Sequence, residues 1–211
     1  MSRRGAFIAL EGIDGAGKSL QLQLLAETLR AQGHDVLTTR EPGGTPMGDA
    51  VRSVVLDPEL DIGPEAEFLL YSASRAQHVR EVIRPALERG QIVLSDRFSG
   101  ASLAYQGYGR GLQQAVLMST TLFATRGLLP DLTVVIDLPV EIALARVGSR
   151  GVPDRLELSG EEFFGRARRG FLKLAANQGW LVVDGEGSVE EVRARVWEAL
   201  ERHLPAPVAA G

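Results

Sequence analysis

The chain has 211 residues, 45% of them hydrophobic, enough to bury one sizeable core in a single domain spanning 1–211. A net charge of −4 argues against a general nucleic-acid surface, so an anionic ligand must be met by a local cluster of cations. The absence of cysteine excludes disulfides and thiolate metal sites, and no run approaches the roughly 18 apolar residues of a membrane span. The three histidines, His34, His78 and His203, are scattered and read as isolated surface residues. MSRRG leads into an apolar run too short for a signal peptide, so a cytoplasmic protein without membrane or nucleic-acid partners is expected.

The first strand-like run, Phe7–Leu10, stops at Glu11 and gives way to GIDGAGKS. Gly12 to Ser19 fits G-x-x-x-x-G-K-[ST], whose glycines let successive N–H groups point at phosphate oxygens. Lys18 would reach the β- and γ-phosphates, Ser19 would offer a hydroxyl to Mg²⁺, and the following helix would present its positive end. Leu22, Leu25, Ala26 and Leu29 are spaced for that helix. The competing reading is a glycine-rich turn that merely starts a helix.

Four more short apolar or β-branched runs follow, at Asp35–Thr39, Gln91–Ser95, Leu132–Asp137 and Trp180–Val183, separated by sequence of helical period. That alternation predicts an α/β fold with a parallel sheet flanked by helices on both faces. The runs end in Glu11, Arg40-Glu41, Asp96-Arg97, Asp137 and Asp184. Open parallel sheets bind ligands outside their carboxyl edges, so the first three sets of charges should converge on one crevice.

EFLLYSASRAQHV, within Glu65–Val79, reads as a helix with Tyr71 and Arg75 on one face. By residues alone this is a core tyrosine beside a solvated arginine. In SLAYQ, Ser102, Tyr105 and Gln106 share a helical face, with Ser102 a candidate helix cap. ARVGSRGVPDR sets Arg146, Arg150 and Arg155 around Gly148, Gly151 and Pro153, which predicts a lid over about residues 146–158, or a solvated loop. The tail, 205–211, is expected to fray.

EGIDGAGKS, REPGGT, DRFSGASLAYQG and DRLE occur in the order found in the thymidylate kinases, P-loop nucleoside monophosphate kinases, and the chain resembles that family over nearly its whole length. The resemblance implies a five-stranded parallel core, a homodimer, ATP with Mg²⁺, dTMP as acceptor and dTDP as product. Gly12, Ile13, Asp14, Gly15, Ala16, Gly17, Lys18, Ser19 and Leu20 would hold ATP, and Asp96 would bind the water shell of Mg²⁺ or form a salt bridge to a neighbouring strand end.

Arg97, whose planar fork suits phosphate, is the first candidate for the acceptor phosphate, with Arg40 and Arg52 as helpers; Arg52 reads rather as the structural partner of an acidic residue. On the same resemblance, Tyr71 would stack on the base and Arg75 would bond its exocyclic oxygen. Ser102 and Gln106 would contact the base, Tyr105 would press against the sugar, and Asp14 would lie near the acceptor sugar and phosphate. No arginine lies within Ile13–Ala16, which resembles the branch whose lid supplies the transferring cation: Arg150 first, then Arg146 and Arg155. Leu20 and Phe98 depart from the usual threonine and tyrosine, and Glu11 is expected to orient an arginine.

A monophosphate acceptor, with a second pKa of about 6, needs no general base. The rival is a deoxynucleoside kinase with Glu41 as base. A GTP-dependent switch would need N-K-x-D, a tetrapeptide this sequence does not contain.

Overall fold

The computed structural model describes residues 5–149 and 154–204. Five strands, β1 (Phe7–Glu11), β2 (Val36–Arg40), β3 (Ile92–Asp96), β4 (Leu132–Asp137) and β5 (Leu181–Asp184), form one wholly parallel sheet in the order β2-β3-β1-β4-β5. Every strand falls within one residue of its expected position. The helices are α1 (Lys18–Ala31), α2 (Pro46–Leu56), α3 (Pro64–His78), α4 (Arg84–Glu88), α5 (Ser99–Ser102), α6 (Gln114–Thr125), α7 (Val140–Gly148), α8 (Glu161–Gln178) and α9 (Val189–Glu201).

The central strand shows why the sheet is covered on both faces. All five residues of β1 are buried, and its side chains alternate between two cores. Ile8 and Leu10 join Leu22, Leu25 and Leu29 of α1, Phe164 and Phe171 of α8, and Val196 of α9. Phe7 and Ala9 join Val79, Ile83, Leu87 and Phe98 on the other face. The chain leaves β1 toward β3 and β2 on one side and toward β4 and β5 on the other, which places a ligand crevice at the carboxyl end of β1.

Two departures from regular α-helix bear on the site. Val79–Ile83 and Leu103–Gly109 form wider, π-type turns, the first just before Pro85, which has no N–H to donate. The second carries Tyr105 and Gln106, so SLAYQ is not the simple α-helical face its spacing predicts. α3 also departs from expectation: its buried face is largely polar, with Glu67, Tyr71, Ser72, Ser74, Arg75 and His78. His78 is fully buried, correcting its reading as a surface histidine. The charge of Arg75 and the polar groups of Glu67, Ser74 and His78 have to be met inside the protein, and they are met by the segments that build the site.

Candidate active site

The loop after β1 has the backbone a phosphate cradle requires. Gly12, Gly15 and Gly17 take φ values of 134°, 83° and 91°, which side-chain-bearing residues rarely adopt. A Cβ on Gly12 would strike the Ile136 carbonyl and one on Gly15 the Ala143 carbonyl, so the loop also packs backbone to backbone against the β4–α7 segment. Lys18 is buried at the start of α1 with its amine donating to the Ile13 carbonyl at 2.8 Å. Burial and the neighbouring Arg97 charge lower its pKa to about 8 against the opposing pull of Asp14 and Asp96. A bound anion would relieve that strain. Leu20, two residues on, is half exposed.

Ser19 donates its hydroxyl to Asp96, the last residue of β3. A hydroxyl and a carboxylate oxygen therefore stand together beside the cradle, a hard-oxygen pair of the kind that suits a divalent cation whose other ligands are phosphate and water. Among the described residues, no group of three or more His, Cys, Asp or Glu is placed to hold a metal.

Next to this pair the chain is strained. Arg97 has φ 71°, a left-handed conformation costing a non-glycine residue on the order of 1 kcal/mol. Its N–H donates to the Leu10 carbonyl at 2.9 Å, and the Ser95 hydroxyl donates to its carbonyl at 2.6 Å. Glu11, fully buried, accepts from the Phe98 and Ala101 N–H groups at 2.9 and 3.1 Å and so caps α5 from the neighbouring strand. This replaces the expectation that Glu11 orients an arginine: it holds the backbone that carries one. Its second oxygen has no partner, and burial pushes its pKa up to about 7, only partly offset by Arg97 and the two N–H donors.

That backbone aims the Arg97 side chain across the crevice. Its guanidinium donates to the Gly12 carbonyl at 3.1 Å, to Asp14 Oδ1 at 2.6 Å and to the Tyr105 hydroxyl at 3.3 Å, and Tyr105 donates in turn to Asp14 Oδ2 at 2.8 Å. Burial alone would raise the Asp14 pKa, but Arg97, Lys18 and Tyr105 outweigh it and hold it at about 2. Phosphate loop, β3 end and SLAYQ segment are thus joined through Arg97 and Asp14.

Beyond Arg97 opens a cleft walled by Tyr71, Arg75, Phe98, Ser102, Tyr105 and Gln106. Arg75 is 1% exposed, so the reading of a solvated arginine does not hold. Its Nε donates to Glu41 Oε2 at 2.7 Å, and Nη2 donates to the Phe98 carbonyl at 3.1 Å and the Ser102 hydroxyl at 3.0 Å. Its Nη1 is buried without a partner. Ser102 is therefore an acceptor for Arg75, and the alternative of a helix cap falls away.

Several expected positions lie elsewhere. Arg40 is exposed at the strand end, 3.9 Å from Asp49. Arg52 reaches the cleft wall and donates to the Pro42 carbonyl at 3.2 Å rather than pairing with an acid. Arg146 donates to the Gly15 carbonyl of the phosphate loop at 3.4 Å. Arg155 donates to the Val55 carbonyl at 2.9 Å and to Glu67 at 2.5 Å, anchoring its segment to α2 and α3. Arg150 lies outside the described residues.

Two residues and one pairing escaped the sequence reading. Glu67, fully buried, accepts from Gln106, Arg110 and Arg155 and so links α3, the SLAYQ segment and the segment of Arg155. Glu41 and His78 are paired at 3.0 Å behind Arg75. Asp154 lines the cleft. The signal for two of these was present: Glu67, Tyr71, Arg75 and His78 recur every three or four residues, a polar stripe on a helix with no amphipathic reason for one.

Comparison with known proteins follows from this geometry. The sequence profile of the family described as thymidylate kinase matches residues 10–196. The chain belongs to the thymidylate kinase family. It is 55% identical over 199 residues to the thymidylate kinase of Deinococcus radiodurans, covering 93% of this chain and 97% of that protein. It is 51% identical over 195 residues to that of Carboxydothermus hydrogenoformans, covering 92% and 95%. The thymidylate kinase of Halothermothrix orenii is 46% identical over 203 residues, covering 94% and 97%. Within this chain the phosphate loop, REPGGT and SLAYQ segments meet at Arg97 and Arg75.

Proposed function

We propose that the protein transfers the γ-phosphoryl group of ATP to dTMP, giving dTDP and ADP, as a single kinase domain with a lid at about residues 146–158. The observation that carries this reading is the junction at Arg97, which joins a phosphate loop to a cleft lined by Arg75, whose Nη1 is buried without a partner. A thymine seated there would offer an exocyclic oxygen to that donor, with Tyr71 and Phe98 as apolar walls and Ser102 and Gln106 beside it.

ATP would lie along Gly12–Leu20, with Lys18 on its β- and γ-phosphates. Arg97 would hold the acceptor phosphate, with Arg40 and Arg52 as helpers, and Tyr105 and Asp14 would flank the sugar. Arg146, already on the loop, and Arg150 would bring positive charge to the group in transit; Arg155, as a support of the lid base, would act at one remove. Ser19 and Asp96 would hold Mg²⁺, which when bound neutralises charge on the phosphate oxygens. The acceptor phosphate is ionised near neutral pH and attacks without a base. Glu41 is unsuited to the rival role of base because both its oxygens are engaged, by Arg75 and His78.

A homodimer is part of the proposal. Leu69 of α3 and Val116 and Phe123 of α6 are each more than half exposed on two helices that pack together, an apolar face a second copy would cover. A cytoplasmic location is proposed with it. No helix among the described residues is long and apolar enough to cross a membrane.

The deciding experiment measures ADP release with ATP and Mg²⁺ against dTMP, dUMP, dCMP, AMP and thymidine. Strong preference for dTMP is expected. Turnover of thymidine in place of dTMP would overturn the reading.

A further inference from the structure

The cleft explains what Arg75 faces; the structure behind it explains what keeps Arg75 there. Arg75 is a buried cation, and such a charge persists only where a fixed anion stands beside it. Glu41 Oε2 supplies the anion at 2.7 Å. The other carboxylate oxygen meets His78 Nδ1 at 3.0 Å, and His78 Nε2 meets the Thr39 hydroxyl at 2.6 Å. Because a carboxylate can only accept, Nδ1 is the nitrogen that carries the proton toward Glu41. A line of hydrogen bonds therefore runs from β2 through the imidazole and the carboxylate to the guanidinium.

The REPGGT motif is shaped around this line. Gly44 has φ 79°, and a Cβ there would lie 2.8 Å from His78 Nε2 and 2.9 Å from Thr39 Oγ1, displacing the bond between them. One glycine thus serves both a backbone conformation and room for an imidazole 34 residues away in sequence, while Glu41 of the same motif supplies the anion.

We infer that His78 is a positioning residue for the acceptor base: through Glu41 it fixes the Arg75 guanidinium, and preference for a 4-oxo over a 4-amino pyrimidine monophosphate passes through it. The inference rests on the reading that Arg75 faces the base. An arginine has donors only, so a fixed Nη1 donates to a carbonyl oxygen and repels an amino group. A guanidinium free to swing would lose affinity for the first and tolerate the second.

The test is steady-state kinetics with dTMP, dCMP and ATP, alongside thermal unfolding, for the native protein and for His78→Ala, His78→Asn, Thr39→Val and Arg75→Ala. His78→Ala is expected to raise the KM for dTMP about tenfold, to shrink the dTMP-to-dCMP ratio of kcat/KM about tenfold, and to move the KM for ATP less than about twofold. His78→Asn, whose amide N–H can replace Nδ1–H, should recover most of the loss. Should His78→Ala fail to fold, Thr39→Val carries the test with an expected rise of about threefold in the KM for dTMP, and no rise overturns the inference. If Arg75→Ala weakens dTMP while His78→Ala does not, the inference fails and the base-pocket reading stands. If Arg75→Ala leaves dTMP unmoved, the base-pocket reading fails and takes the inference with it. Parallel loss of dTMP and ATP binding with lowered Tm and no rescue by asparagine would make His78 a fold residue only, which also overturns it.

Discussion

Arg97 and Asp14 lie 2.6 Å apart and join the end of β3 to the phosphate loop, so two segments separated by 83 residues share one ion pair in the wall of the cleft. The arginine is held there in a left-handed backbone conformation that only a surrounding network can sustain. Arg97→Lys keeps the charge but loses the fork that reaches Gly12, Asp14 and Tyr105 together. A fall in kcat/KM for dTMP of about a hundredfold is expected, roughly 2.7 kcal/mol of transition-state stabilisation. Equal activity of the lysine variant would remove Arg97 from the acceptor phosphate.

Glu41 distinguishes the two kinase readings. Its carboxylate is committed to Arg75 and His78, so Glu41→Gln should weaken dTMP binding about tenfold through Arg75 while retaining most of kcat. The deoxynucleoside kinase reading expects near-complete loss of kcat instead. Initial rates across a dTMP titration separate the outcomes.

Glu67 is the sole carboxylate shared by Arg110 and Arg155 among the described residues, and it is wholly buried. Removing one side of a buried charge cluster leaves the others unpaired. Glu67→Ala should therefore cost about 3 kcal/mol, a fall in Tm on the order of 10 °C for a domain of this size. Calorimetry reads this directly. A variant as stable as the native protein would show that the segment of Arg155 is not anchored through Glu67.

Glu11 gives stability a pH dependence of defined sign. Its folded pKa, about 7, lies above its ordinary value of 4.5, so the folded state holds the proton more tightly. The contribution is fully present below about pH 4.5 and is lost as pH rises toward 7, amounting to about 3 kcal/mol across that window. Glu11→Gln keeps an oxygen for the Phe98 and Ala101 N–H groups but does not titrate. Denaturant unfolding at pH 5 and pH 8 should show a smaller difference between the two pH values for the variant by about that amount. Identical differences would mean that Glu11 does not titrate in this window.

Phe123 is 86% exposed, the most exposed of the large apolar residues described. Phe123→Glu would place a charge in the proposed contact between two copies and is expected to shift sedimentation from dimer to monomer. A native protein that sediments as a monomer would end the homodimer proposal outright.

The sheet and the phosphate loop were legible because their causes are local. A strand buried on both faces must be apolar throughout, and a loop that turns its N–H groups inward must place glycine at Gly12, Gly15 and Gly17, so spacing alone located both. The family segments added the order in which they occur. Partner choice was not legible in the same way. Arg155 looked like a cation for the lid and is bonded to Glu67; Glu11 looked like a partner for arginine and caps α5; His78 looked like a surface residue and is buried against Glu41. A sequence states which charges a chain carries. Which of them are taken out of water together is decided by packing between segments far apart in sequence, because a buried charge is tolerated only where the fold supplies its counter-charge and its hydrogen bonds.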